Sequence, residues 1–332
     1  MTDAMRCSLL LFCLALGCGS ETPPKGATKD AAADSAHDSA VDSSADAASD
    51  SATDGAPHAD CPGFEEPRVV GQVESAALTE ASGLVASRAR PGVLWAHNDS
   101  GDEPRVFALG VRGEDLGVFS LSGAAAVDWE GIALGPGPEP GRDYLYLGDI
   151  GDNLARREHV TIYRVAEPAA DSSSTLTDVI ALTFRYPDGA HNAEALLSDP
   201  ITGDLLIVTK GVLSSRIYRA AAPHSAQAPG AEPRELSYEG DVTGVAMHLV
   251  TAGDVSPAGD EVLLRTYSAI KRYRRGPGMT VAAALMTEPC ELPTARESQG
   301  ETVAFSADGQ AYFTVSEGER PPLHRFDRRA SP

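Results

Sequence analysis

The stretch Glu301-Thr-Val-Ala-Phe-Ser-Ala-Asp-Gly-Gln-Ala-Tyr-Phe-Thr-Val-Ser316 decides the fold. Two short apolar runs flank Ser306-Ala-Asp-Gly309, a turn rich in residues that tolerate tight backbone geometry. That is the pattern of a hairpin, and Leu323-His-Arg-Phe326 supplies a third strand after a polar loop. The same layout occurs four more times upstream. Glu80-Ala-Ser-Gly-Leu-Val85 leads to Val93-Leu-Trp-Ala-His-Asn-Asp99 and Arg105-Val-Phe-Ala-Leu109. Glu130-Gly-Ile-Ala-Leu134 leads to Tyr144-Leu-Tyr-Leu-Gly-Asp149 and Val160-Thr-Ile-Tyr-Arg164. Glu194-Ala-Leu-Leu-Ser198 leads to Leu205-Leu-Ile-Val-Thr-Lys210 and Arg216-Ile-Tyr-Arg219. Thr251-Ala-Gly-Asp-Val-Ser256 leads to Glu261-Val-Leu-Leu-Arg-Thr-Tyr267 and Ile270-Lys-Arg-Tyr273. The starts at 80, 130, 194, 251 and 301 give a period of roughly 50–64 residues, in the range of repeat architectures.

A fourth strand is expected in each repeat at Gly117–Leu121, Ile180–Tyr186, Glu235–Tyr238 and Val281–Leu285. The fifth repeat has no room for one. Arg68-Val-Val-Gly-Gln-Val73 would fill that place and close the ring, removing an open sheet edge. The expected fold is all-β: a single β-propeller over residues 61–332, with five four-stranded blades, six being the alternative, and an N-terminal strand closing the last one.

The turns Val255-Ser-Pro-Ala-Gly-Asp-Glu-Val-Leu263 and Phe305-Ser-Ala-Asp-Gly-Gln-Ala-Tyr-Phe313 resemble those of the YVTN/NHL-like and gluconolactonase-like β-propellers, over about residues 64–330. The resemblance implies that first-strand starts and second-strand ends gather at the top mouth of a central channel, the usual ligand site. The residues so placed are Glu80, Asn98, Asp99, Asp102, Asp128, Glu130, Asp149, Asp152, Asn153, Glu194, Lys210, Glu301 and Glu317, with His97, His191 and Asn192 near in sequence. Of these, Glu80, Asn98, Asp99, Asp128, Glu130, Asp149, Asp152, Glu194, Lys210 and Glu301 are the ligand-binding candidates. An oxygen-rich ring suits a hard cation such as Ca²⁺ or Mg²⁺. By the same resemblance, a metal on Glu80, Asn98 or Asn153, and Asp149 would activate water for hydrolysis, with Glu130 or Asp152 as general base. The competing reading is that these acids bond backbone amides and only hold blades together. Trp95 and Trp129 are expected to pack between blades.

Ahead of the repeats, Asp30, Asp34, Asp38, Asp42, Asp46, Asp50 and Asp54 recur every four residues among Ala and Ser. No aromatic and hardly any branched apolar residue is present to offset ordering entropy, so residues 18–60 read as an extended, disordered tether. Earlier still, an apolar run from Cys7 to Leu16 is too short to span a bilayer and fits a signal peptide over residues 1–17. Initiation at Met5 would remove Asp3 and give a cleaner signal. The run ends Leu14-Ala-Leu-Gly-Cys18, which resembles the bacterial lipobox and implies cleavage before a lipidated Cys18. Acyl chains on one cysteine anchor a protein without a spanning helix. An ordinary secretory signal is the alternative. Gly19 favours the outer over the inner membrane of the cell envelope by the sorting rule of such lipoproteins. With Cys7 and Cys13 removed and Cys18 acylated, Cys61 and Cys290 remain and are expected to pair, two free thiols being the alternative.

The net charge is −21, of which the part beyond residue 60 carries about −14. That argues against nucleic acid and against adhesion to anionic lipid. There is no phosphate-binding loop, nucleophile elbow, His-Glu-x-x-His or Cys-x-x-Cys pair. Gly135-Pro-Gly-Pro-Glu-Pro-Gly141 is a proline-stiffened turn. The sequence therefore reads as a monomeric, membrane-anchored binding module for a small molecule, glycan or protein. A divalent-cation-dependent hydrolase of lactones, esters or phosphoesters is the alternative.

Overall fold

The computed structural model describes residues 63–168, 173–228 and 230–330. The signal peptide, Cys18, the tether and Cys61 lie outside the described residues. From residue 63 onward the chain forms five antiparallel meanders. After β1 (Arg68–Gln72), the first blade holds β2 (Ala81–Ala86), β3 (Val93–Asn98), β4 (Arg105–Gly110) and β5 (Asp115–Leu121). The second holds β6 (Trp129–Pro136), β7 (Asp143–Asp149) and β8 (Val160–Ala166), then, past β9 (Ser174–Leu176), β10 (Ile180–Arg185). The third holds β11 (Ala193–Ser198), β12 (Leu205–Thr209) and β13 (Arg216–Ala220), then, past β14 (Arg234–Glu235), β15 (Ser237–Asp241). The fourth holds β16 (Val250–Val255), β17 (Glu261–Thr266), β18 (Ile270–Arg274) and β19 (Cys290–Leu292). The fifth holds β20 (Ala304–Phe305), β21 (Ala311–Val315) and β22 (Pro322–Asp327), and β1 completes it beside β22.

Blade count follows from packing. Each inner strand touches the next around a ring, β2–β6–β11–β16–β20 and back to β2. The apolar side chains divide into five clusters, one per seam between neighbouring blades. This is a closed five-bladed β-propeller. Every inner strand lies between two seams, which explains why the longer ones read as apolar runs and not as alternation. Trp95 and Trp129 both fill the seam of blades 1 and 2.

Two departures from the sequence reading have physical reasons. Val281–Leu285 is a helix, α1, and the outer strand of blade 4 is β19. The run is alanine-rich, and the Thr280 hydroxyl accepts from the Ala283 amide, so propensity and an N-cap agree. Its apolar face joins the seam of blades 3 and 4 through Val281, Ala282 and Leu285. Blades 1 and 2 also gain a fifth strand each: β9 lies parallel to β5, and β14 parallel to β10. Both additions cover edges that would otherwise present unpaired amides.

Candidate functional site

Each inner strand begins with one extra residue relative to its partner. The register slips between Ala81 and Gly83, Trp129 and Ile132, Ala193 and Ala195, and Val250 and Ala252. The same excess separates the Gly300–Ser316 bridge from Ala304–Phe313. A bulge re-aims the extra side chain. The five residues set in this way are Ser82, Glu130, Glu194, Thr251 and Glu301. The blade 1 counterpart of the glutamates is thus Ser82. Glu80 lies two residues outside the ring and is exposed.

The residue just past each second strand forms another tier: Asp99, Ile150, Lys210, Tyr267 and Glu317. Where Ile150 breaks the polar series, Asp128 from the preceding loop takes its place. Ligand atoms of Asp99, Asp128 and Glu130 all lie within 4.8 Å of one another. Gly151 permits this crowding, since a Cβ there would meet an Asp128 carboxylate oxygen at 2.5 Å. On the other side of the mouth Lys210 Nζ reaches Glu194 Oε1 at 2.8 Å and the Tyr267 hydroxyl at 2.9 Å. Tyr267 in turn donates to Glu301 Oε1 at 3.0 Å.

The charge balance is lopsided. Among the described residues, Asp99, Asp128, Glu130, Glu194, Glu301 and Glu317 face the Lys210 ammonium, and Arg157, itself paired with Asp149, also acts on Asp128. Burial raises the Asp99 carboxyl, and Glu301 adds to it. Burial, then Asp99, pushes Asp128 up to about 6. Glu130 is 4% exposed and bonded by Ser82 Oγ; burial, then Glu194, holds it well above the usual carboxylate range. Burial pushes Glu194 up to about 7 despite Lys210. Glu317 is pushed up to about 9 by burial and by sharing a hydrogen bond with Glu301. Burial works against the Lys210 ammonium, but Glu194 and Tyr267 outweigh it and hold it above its ordinary value.

Other sequence candidates do structural work. Asn98 Oδ1 accepts from the Thr79 and Glu80 amides, and its Nδ2 donates to Ala77 O and Asp102, leaving its amide fully engaged. Asp149 holds the equivalent position in blade 2, accepting from the Asp128 amide and from Arg157. Asp152 closes its own loop by accepting the Arg156 and Arg157 amides. Asn153 is exposed and accepts from Asn192. Asn98 and Asp149 are thus engaged by protein groups and Glu80 and Asn153 are exposed, whereas Asp99, Asp128 and Glu130 bring their ligand atoms together. Burial lowers His97 to about 4, so its imidazole is neutral, edge-on to Trp129. His191 sits outward with Asp188 and Tyr218.

Sequence reasoning missed Tyr267 and Ser82. Aligning the repeats on second-strand ends would have found the first. The second needed the bulge, which leaves no trace in composition.

No protein-family model matches the chain, and no curated protein sequence matches it. Among solved structures, Raptor of Chaetomium thermophilum superposes with a TM-score of 0.43 at 11% identity, over 81% of this chain and 30% of that one. A luciferin-regenerating enzyme gives 0.40 at 10% identity, over 77% of this chain and 95% of that one. A nidogen/laminin complex gives 0.42 at 13% identity, over 72% and 73% respectively. Likeness at this level carries no argument about ligand or activity.

Proposed function

We propose that this chain is an exported, lipid-anchored binding module whose channel mouth receives a cationic group of a protein or peptide. The observation that carries this reading is the excess of carboxyls over cations at the mouth. Proton uptake partly relieves that excess, and an incoming cation would relieve it further. The surroundings favour a macromolecular ligand over a bare ion. Leu154, Leu213 and Met247 are 68%, 80% and 69% exposed. With Val127, Val212 and Tyr267 they occupy loops at the mouth end of their blades. Large apolar side chains left exposed around one mouth mark a surface for protein contact.

The test uses residues 19–332, lacking only the signal and Cys18. Lysine-rich peptide should bind, more weakly at pH 5 than at pH 8 and more weakly to Asp128→Asn. Equal binding to both proteins would remove the mouth as the site. The hydrolase reading rests on a divalent cation at Asp99, Asp128 and Glu130, the one trio of metal-binding spacing among the described residues. Metal analysis, and melting with EDTA and with added Ca²⁺, separates the two: no metal and no shift removes it.

Anchoring stands on the lipobox-like sequence at Cys18. Palmitate labelling of the full-length chain should disappear in Cys18→Ala. The Cys61–Cys290 pairing has support from packing. Phe64, three residues past Cys61, is buried in the same seam as Leu292, two residues past Cys290. Non-reducing peptide mapping should recover that crosslink.

A further inference from the structure

Four arginines have side chains buried almost completely among the described residues. Arg265 pairs with Glu297, Arg272 with Glu261, and Arg275 with Asp199. Arg164, 6% exposed, forms no such ion pair. It donates to the His224 carbonyl and lies over the Tyr144 ring, 5.5 Å from its centroid. A buried guanidinium without a counter-charge is costly, so the exception needs a reason.

Arg164 lines a pocket of about 310 Å³ between blades 2 and 3, at the end of the propeller opposite the mouth. The hairpin turns of both blades and the segment after β13 form its walls. Pro136, Pro138, Pro200, Pro223, Ile201 and the Tyr146 ring make those walls largely apolar. Proline supplies no amide donor. His224 donates its Nε2–H to Gly203 O at 2.9 Å, which leaves Nδ1 unprotonated, and burial holds this imidazole below its ordinary value. The guanidinium is thus the one charge among the side chains that line the pocket. Its size lies at the lower end of small-ligand sites.

We propose that this pocket binds a small organic monocarboxylate, its carboxylate on Arg164 and its apolar body between the proline walls and Tyr146. A guanidinium matches a carboxylate with paired donors. A dianion such as phosphate fits worse. Only one positive charge is present, and Glu139, Asp143 and Asp204 act on Tyr144, Tyr146 and His224 respectively from nearby. This site is separate from the channel mouth and stands or falls independently of it.

Calorimetric titration of residues 19–332 with benzoate, benzamide and inorganic phosphate tests the assignment. Benzoate should bind, and benzamide, equal in shape but neutral, should bind at least about tenfold more weakly, a difference of about 1.4 kcal/mol. Phosphate should not compete. Arg164→Met should abolish benzoate binding. Because that variant alters a buried residue, Ile201→Asp gives a second reading. Ile201 is 66% exposed at the pocket rim, so this change should leave the melting temperature unchanged while weakening benzoate at least about tenfold through like-charge repulsion. Equal binding of benzoate and benzamide, preference for phosphate, no binding at millimolar concentration, or a folded Ile201→Asp that binds normally would each overturn the proposal.

Discussion

Glu130 and Glu297 are carboxylates of similar burial with opposite surroundings. Glu297, at the seam of blades 4 and 5, has Arg265 beside it, the Thr314 hydroxyl donating at 2.8 Å and His324 Nδ1 at 3.1 Å. Burial would raise it, but those partners hold it below the ordinary range. Glu130, at the mouth, has Ser82 as its hydroxyl partner and other carboxylates as neighbours, and it is raised. The seams show what this fold does when an acid serves stability: it supplies a counter-charge. Glu261, held by Arg272 and Arg328, follows the same rule. Asp254 is the amide-bonding version of a structural acid. Its Oδ2 accepts from Phe305 of the next blade. At the mouth Lys210 pairs with Glu194, but Asp99, Asp128 and Glu130 crowd one another, which is why their charge is read as ligand-directed.

The largest expected effect comes from breaking the paired side. Arg265→Met strands Glu297 without its guanidinium and should cost about 3–5 kcal/mol, read from denaturant unfolding followed by circular dichroism. Glu130→Gln replaces a carboxyl whose neutral form burial already favours with a neutral amide of the same shape. It should change stability by no more than about 1 kcal/mol at pH 7. A large loss in Glu130→Gln would mean the mouth acid is structural after all.

The next effect is one of pH. Asp128, Glu194 and Glu317 are pushed up to about 6, 7 and 9, above the roughly 3.9–4.3 of unfolded carboxyls. The folded state therefore binds more protons than the unfolded state between those limits. Their contribution is fully present below about pH 4 and is lost as pH rises through the folded values. The unfolding midpoint should fall from pH 5 to pH 9, less steeply in Glu130→Gln/Glu317→Gln. Asp254, pushed up to about 7 by burial, keeps part of the slope in both proteins. An identical slope in wild type and double variant would place the titration elsewhere.

Much of this architecture was legible. Second strands, like the inner ones, are wedged between two seams and have to be apolar, so Leu205–Thr209 or Glu261–Thr266 announce themselves. The turn after Phe305 and the missing fourth strand of the last repeat pointed to closure by Arg68–Gln72. Val281–Leu285 misled because a five-residue apolar run reads alike as strand or buried helix turn. At the mouth, Glu130, Glu194 and Glu301 were visible as repeat starts. The bulge, however, moved the blade 1 member of the ring from Glu80 to Ser82. The apparent likeness of Asp99-Ser-Gly-Asp102 and Asp149-Ile-Gly-Asp152 hid a one-residue offset: Asn98, not Asp99, matches Asp149. The Arg164 pocket was invisible because its walls come from turns far apart in sequence.

The smallest effects sharpen the comparison most. Ser82 and Thr314 each donate one hydroxyl hydrogen bond to a buried carboxyl group. A bond to an ionised acceptor is worth about 1.5–3 kcal/mol, one to a neutral acceptor about 0.5–1.5 kcal/mol. Thr314→Val, which removes a donor from Glu297, held toward its ionised form, should therefore cost more at pH 7 than Ser82→Ala, which removes one from Glu130, held toward its neutral form. Raising the pH should narrow that gap, because it favours the charged form of Glu130 and so the value of its serine, while Glu297 is already held toward its ionised form. Denaturant titrations of the two variants at pH 7 and pH 9 measure it directly. No gap at either pH would mean that the two carboxyls share one charge state, and the contrast between mouth and seam would then lie in geometry and not in protonation.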